Sequence, residues 1–265
     1  MLTASVTDAI VDVSARLVVP RFRTLKVDQI EQKHPGDLVT VADKEAEAEL
    51  TEIFRAGDPD ALVLGEEAVF ADPSLLDGLP TAEHAWVIDP VDGTNNFARG
   101  SADFGVMVVE CRRGDPVRSW IWQPIHDRMF IAEAGGGVTL NGEALAPLPE
   151  PGRPLRAAAP KSLRHNDLSG FLLRPTARSC AIDYPHVALG ELDVLCYRSQ
   201  NPWDHLPGAL LVSELGGRAA LHGGDAYRAG RHGVLLLVAG SPDAWQAADD
   251  ALVTPDWLNG HPRRV

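Results

Sequence analysis

The stretch Trp86-Val87-Ile88-Asp89-Pro90-Val91-Asp92-Gly93-Thr94-Asn95-Asn96-Phe97 constrains this chain more than any other. Residues 86–88 form a short apolar run that reads as a buried strand, and Pro90 and Gly93 are expected to break it and turn the chain. Pro90 presets the backbone between Asp89 and Asp92, so the turn can aim both carboxylates and the Val91 carbonyl at one point. Hard divalent cations take that set of oxygens. Gly93, Thr94 and Asn95 then open a helix, whose unpaired N–H groups and positive dipole end favour an anion. Alone, Asp-Pro-Val-Asp-Gly is also explained as a good turn, because Asp, Pro and Gly all occupy favoured turn positions.

A chain of 265 residues that is 45% hydrophobic can bury a large core, as one domain or as two intimate halves. Its formal net charge of -13 opposes nucleic acid or an anionic membrane as partner, since both need clustered Lys and Arg. An acidic protein with an anionic substrate needs local positive charge, which bound metal ions supply. Asp8 and Asp12 interrupt the N-terminal apolar run, so no signal peptide is expected, and no segment approaches the roughly 20 apolar residues of a membrane helix. Cys111, Cys180 and Cys196 lack the spacing of a zinc site and fit a reducing, cytoplasmic setting.

Val6, Ile10, Val13 and Leu17 predict an amphipathic helix over residues 3–19. A turn at Pro35-Gly36 precedes a short extended piece and a helix over 43–56, with Leu50, Ile53 and Phe54 on its apolar face. Thr40 and Asp43 have capping-box spacing, so Asp43 can serve the helix N-terminus, and Lys33 can be an ordinary solvated lysine. The apolar run 61–64 leads into Gly65-Glu66-Glu67, and 70–84 reads as a loop with one helical turn. Segments 104–111, 117–123 and 129–133 alternate with turns as an antiparallel meander, and Gly135-Gly136-Gly137 and Asn141-Gly142 mark hairpin turns, no Gly-Lys-Ser/Thr following the glycines. The Pro-rich residues 144–160 suggest a boundary between halves. Beyond it, 180–190 look helical and 192–197 extended. Leu206, Leu210 and Leu215 mark a helix that stops at Gly216-Gly217, with Asp204 in its first turn. His205 lacks a ligand-spaced partner and reads as structural or exposed.

Four segments thus end with acids at a strand terminus or helix start: Asp43, Glu66, Asp89 with Asp92, and Asp204. Convergence would raise their pKa values through mutual repulsion unless cations sat among them. Taken together, WVIDPVDGTNNF (86–97), Gly65-Glu66-Glu67, KHPGDLVTVAD (33–43), and Trp203-Asp204 with Gly208 and Glu214-Leu215-Gly216-Gly217 resemble the inositol monophosphatase family of metal-dependent, lithium-sensitive phosphatases. The pieces occur in the family's order over nearly the whole chain.

The resemblance implies a layered αβαβα fold, usually a homodimer, with the site between an N-terminal α+β half (1–150) and a C-terminal α/β half (151–265). Glu66, Asp89 and the Val91 carbonyl would bind a first Mg²⁺, and Asp89, Asp92 and Asp204 a second, with Glu66 helping to hold a third. Thr94, oriented by Asp43, would position an attacking water. Gly93 and Thr94, followed by Asn95, would offer the phosphate their helix start, and Lys33 would sit in a mobile loop near the metals. The implied reaction is hydrolysis of a small phosphate ester by metal-activated water, without a phosphoenzyme.

Substrate choice departs from the pattern. Inositol-selective members carry Gly-Ser/Thr-Ala where this chain has Arg178, Ser179 and Cys180, and a glutamate that hydrogen-bonds inositol where it has Tyr197. A phenol in place of an acceptor carboxylate is expected to weaken polyol recognition. Inositol monophosphate, histidinol phosphate and a 3'(2'),5'-bisphosphate nucleotide all stay open, with Arg178 meeting a second anionic group or a dimer interface. A non-catalytic, metal-dependent regulatory protein is the alternative of a different class, although every acid the chemistry needs is present.

Overall fold

The computed structural model describes residues 1–160, 163 and 170–252. Val6, Ile10 and Val13 bury one face of α1 (Thr3–Val13), whose path continues through a wider turn at Ser14–Val18 and ends in a tight turn around Pro20. The hairpin of β1 (Ile30–His34) and β2 (Asp37–Thr40) leads into α2 (Val41–Gly57), which starts at the Thr40–Asp43 capping box and buries Leu50 and Phe54. There follow β3 (Leu62–Gly65), α3 (Glu66–Ala71), β4 (Ala85–Asp92) and α4 (Thr94–Ala98). The expected meander appears as β5 (Gly105–Arg112), β6 (Asp115–Gln123) and β7 (Arg128–Glu133), extended by β8 (Gly137–Leu140) and β9 (Glu143–Ala144). These make one seven-stranded sheet in the order β3-β4-β5-β6-β7-β8-β9, antiparallel except for the pair β3 and β4.

Beyond the Pro-rich stretch, a five-stranded sheet is built from β10 (Leu155–Ala158), β11 (Phe171–Arg174), β12 (Val194–Tyr197), β13 (Arg218–Leu221) and β14 (Leu236–Ala239), in the order β11-β10-β12-β14-β13. Helices α5 (Cys180–Ala188), α6 (Pro202–Glu214) and α7 (Pro242–Leu252) accompany it.

Alternation along the strands sets the layers. On β4 and β5, Trp86, Ile88, Val106 and Val108 face α1 and α2, whereas Val87, Met107 and Val109 face the other way, into a core shared with α5 and α6. On β12 and β14, Leu195, Leu236 and Val238 join that shared core, while Val194, Cys196 and Leu237, with Leu235 just before β14, cluster with Ala244, Trp245 and Ala248 of α7. The result is the expected αβαβα sandwich: α1 and α2, sheet, α5 and α6, sheet, α7. Phe54 of α2 stacks on Trp86 with centroids 4.6 Å apart, fixing that helix to the large sheet, within which Trp86 meets Trp120 at 5.9 Å.

Two local expectations are corrected. Pro90 does not end the strand: β4 runs to Asp92, and the three steps from Asp89 to Asp92 face two on β5, from Met107 to Gly105. This is a β-bulge, where a proline without an N–H is tolerated and where the bulged strand bends. The turn comes at Gly93, in the left-handed region at φ 84°. A Cβ there would lie 2.9 Å from Ser179 Cβ and 3.0 Å from the Asp103 carbonyl, so both conformation and space demand glycine. Lys33, expected in a mobile loop, instead lies on β1. The polar run Ile30–His34 has no alternation to betray it, and pairing with β2 supplies the strand.

Candidate active site

The bulge gathers the acids. Asp89, Asp92 and Asp204, the last from the first turn of α6, each bring a carboxylate oxygen within 4.8 Å of the other two. Asp89 Oδ1 accepts the Val91 N–H at 3.1 Å, which fixes its rotamer inside the bulge. Asp92 Oδ2 accepts the Ser179 hydroxyl at 2.5 Å and the Ala181 N–H at 2.8 Å, tying the bulge to the start of α5. Asp204 Oδ2 accepts the Asn201 side-chain amide at 3.1 Å. These acids, with Glu66, Val91, Gly93, Thr94, Asn95 and Arg178, line a cavity of about 190 Å³ completed by Asp37, Asn201 and Trp203.

Asp43 stands behind the acids, at the N-terminus of α2. Its Oδ2 accepts the Thr40 N–H and hydroxyl, at 2.9 and 2.5 Å, and its Oδ1 accepts the Thr94 hydroxyl at 3.1 Å. The two readings of Asp43 are therefore compatible, since one carboxylate oxygen caps the helix and the other faces Thr94. Thr94 Oγ1 also lies 3.0 Å from the Val91 carbonyl, a second acceptor for its single proton.

Glu66 opens α3, whose N-cap Gly65 has no side chain to serve the helix. Glu47, twenty residues upstream on α2, does so instead: it accepts the N–H groups of Glu67 and Ala68 at 2.7 and 2.8 Å. It passes so close that a Cβ on Gly65 would lie 2.0 Å from its carboxyl carbon. Lys33 Nζ bridges Glu66 and Glu67 at 2.8 and 2.6 Å and is nearly buried.

Burial and crowding govern the charges. Burial raises Asp89 well above the ordinary carboxylate range, and Glu66, Asp92, Asp204 and Asp43 push it further. Asp204 is raised by burial, Asp92 and Glu66. Burial lifts Asp92 to about 6, against the hydrogen bonds from Ser179 and Ala181, and Asp43 to about 7, against those from Thr40. Burial works against the Lys33 ammonium, but Glu66 and Glu67 carry it above the ordinary lysine value. Buried oxygens packed together with raised pKa values are the donor set of a hard divalent cation, which would stabilise their ionised forms. The residues therefore fit Mg²⁺.

The other expected contacts separate into two groups. Arg178, itself at φ 60°, lines the acidic cavity, and Asn95 lines it while donating its side-chain amide to the Gly36 carbonyl at 2.9 Å. Ser179, Cys180 and Tyr197 lie behind the wall. Ser179 is spent on Asp92, and Cys180 Sγ sits 3.9 Å from His205 Nδ1. The Tyr197 hydroxyl donates to Asp183 at 3.0 Å while its ring packs between Tyr184 and His205. Asp37 and Trp203 lie within the motifs quoted from the sequence but were given no role in the site, and Asn201 and Glu47 were given none either. Asn201, three residues before Asp204 at a helix start, carried a local signal; Glu47 carried none, because its partners are twenty residues away.

The sequence matches the profile of the Inositol monophosphatase family over residues 3–254. The chain belongs to this family. Among its relatives, the inositol-1-monophosphatase of Rhizobium meliloti is 31% identical over 220 residues, 76% of this chain and 79% of that protein. The Nus factor SuhB of Escherichia coli (strain K12) is 29% identical over 244 residues, 86% and 87% of the two chains. Among solved structures, the extragenic suppressor protein suhB of Bartonella henselae superposes with TM-score 0.76 at 24% identity, covering 95% of this chain and 99% of that one. An IMPase/NADP phosphatase complexed with Mg²⁺ and phosphate superposes with TM-score 0.74 at 20% identity, covering 92% of each. The inositol monophosphatase fold is thus shared over more than nine-tenths of the chain, and phosphatase activity in general is the family's property.

Proposed function

We propose that this chain is a Mg²⁺-dependent phosphomonoesterase that hydrolyses a small phosphorylated metabolite with water as the attacking group. The convergence of Asp89, Asp92 and Asp204 on one point beside the Thr94–Asp43 pair carries this reading. Glu66, Asp89 and the Val91 carbonyl would hold one ion, and Asp89, Asp92 and Asp204 another, with Glu66 reaching a third. Bound there, Mg²⁺ lowers the pKa of water and neutralises charge on the phosphoryl oxygens.

The chain's own residues supply the rest. Thr94 Oγ1, its proton directed to Asp43 Oδ1, turns a lone pair towards the cavity and fixes the orientation of a water molecule. Burial raises the Asp43 carboxyl to about 7 before any cation is bound, and a cation nearby would favour its ionised, accepting form. Gly93 and Thr94 start α4, and their N–H groups have no carbonyl one turn back, so they are offered to the phosphate. Arg178 adds a fixed positive charge at the cavity wall. Both Ser179 and Cys180 are turned to internal partners, which supports direct attack by water over a phosphoenzyme.

The test is phosphate release from inositol 1-phosphate, histidinol phosphate, adenosine 3',5'-bisphosphate, fructose 1,6-bisphosphate and glycerol 2-phosphate, each with Mg²⁺ and with EDTA. Release from one ester far above the others, abolished by EDTA, is expected. Silence across the panel in folded, metal-loaded protein contradicts the proposal and leaves the regulatory reading.

A further inference from the structure

The acidic cavity, at about 190 Å³, is smaller than the roughly 300–1,000 Å³ of ordinary ligand pockets. It accommodates a phosphate among its ligands, so the alcohol portion of a substrate must extend beyond it. A second chamber of about 580 Å³ adjoins it and shares Asp37, Glu66, Asn201 and Trp203 with it. A molecule with its phosphate in the first reaches the second directly.

The second chamber is of a different character. Its walls are rings and aliphatic surface: Phe70, Trp203, His34, Val69 and Pro73. Phe70 is 46% exposed, a large apolar side chain left at the mouth of an otherwise acidic cleft. It is held in place, with the His34 ring edge-on at 5.4 Å and the Lys33 ammonium 5.3 Å from its centroid. Asp37 faces the chamber, Glu66 would be engaged with Mg²⁺ on the reading above, and the single ammonium, that of Lys33, is already paired with Glu66 and Glu67. A further anionic group is disfavoured there.

The start of α5 and the end of β12 offer a polyol little. Ser179 and Tyr197 spend their hydroxyls on Asp92 and Asp183, and Cys180 faces His205. Sugar hydroxyls placed against that side find no free carboxylate, so the room for an alcohol lies towards Phe70.

We propose that this second chamber binds a neutral or cationic aromatic ring in the alcohol portion of the substrate, making Phe70 a specificity-determining residue. The inference rests on the phosphomonoesterase reading and narrows it to esters carrying a ring a few bonds from the ester oxygen. Flat rings gain both buried area and edge-to-face contact from such walls.

The experiment compares 2-phenylethyl phosphate with ethyl phosphate, two alkyl esters that differ by the ring, at saturating Mg²⁺. The wild-type chain is expected to favour the phenylethyl ester in kcat/KM by about tenfold, and Phe70→Ala to erase that preference. Phe70→Tyr, which keeps the ring, is expected to retain it. Hydrolysis of both esters with the same ratio in wild type and Phe70→Ala overturns the chamber's role while leaving the phosphatase reading intact. A loss in Phe70→Tyr as large as in Phe70→Ala overturns it too. Hydrolysis of neither ester by folded wild-type protein that releases phosphate from a member of the panel above overturns this inference alone; silence on the panel as well removes the phosphatase reading with it.

Discussion

On the N-terminal wall of the cleft, Glu66, Asp89 and Asp92 reach the cavity, held by groups that leave at least one carboxylate oxygen of each available. On the C-terminal wall, the polar atoms of Ser179, Cys180 and Tyr197 point away, into Asp92, His205 and Asp183. From that side the cavity is lined by Asp204, steadied by Asn201, together with Arg178, Asn201 itself and Trp203. The difference separates two tasks. The first wall presents unsatisfied oxygen donors whose raised pKa values create a demand for cations. The second is internally satisfied and offers little beyond shape, so selectivity has to be built elsewhere.

The comparison breaks first at Asp89. Asp89→Asn removes the charge shared by both principal ion positions while keeping the side chain's size. Loss of several kcal/mol of charge stabilisation corresponds to a fall of about 10³-fold or more in kcat, with the far-ultraviolet circular dichroism unchanged. Full activity in that variant would sink the assignment. Next in size is Thr94→Val, nearly isosteric, which strips the hydroxyl between Asp43 and the cavity. A decrease of about 10²–10⁴-fold in kcat with little change in KM is expected, and steady-state kinetics check it.

Glu47→Ala tests whether the first wall is positioned from a distance. Losing the cap on α3 is expected to cost about 1–2 kcal/mol in denaturant unfolding and to weaken Mg²⁺ binding, because Glu66 is the first residue of that helix. A variant of unchanged stability and unchanged Mg²⁺ affinity would show that α3 is held otherwise.

Acidity sharpens the contrast further. Burial raises Asp43 and Asp183 to about 7. Between pH of about 6.5 and about 7.5 the folded, EDTA-treated protein therefore holds more protons than the unfolded chain, and its stability falls as pH rises. His205, which burial lowers to about 3, acts in the opposite sense only below its ordinary 6.5, outside this window. The melting temperature in EDTA should drop by about 2–4 °C for each kcal/mol lost, and Mg²⁺ should remove much of the slope by favouring ionised acids. A melting temperature that rises with pH in EDTA would contradict this. The smallest effect is expected for Tyr197→Phe, a loss of about 0.5–1.5 kcal/mol from the Asp183 hydrogen bond, with substrate ratios unmoved. A shifted ratio would bring Tyr197 back to the substrate wall.

Much of the first wall was legible in sequence because each acid sits at a local punctuation mark: Asp89 and Asp92 around Pro90, Glu66 after Gly65, Asp43 three residues from Thr40. The layered fold was implied by the family resemblance that these pieces carry, and strand alternation showed only the meander. What resisted is non-local. Glu47 meets α3 only through the fold, and Tyr197 was placed by counting along the chain, which fixes a position but not the direction of a side chain. The four-residue strands β10, β11, β13 and β14 are too short to display a period, and neither they nor α7 was anticipated.

The most direct measurement is anomalous scattering from a crystal grown with Mn²⁺ in place of Mg²⁺. The account predicts a peak in contact with the carboxylates of Asp89, Asp92 and Asp204. Strong peaks elsewhere on the protein, and none among these three aspartates, would contradict it.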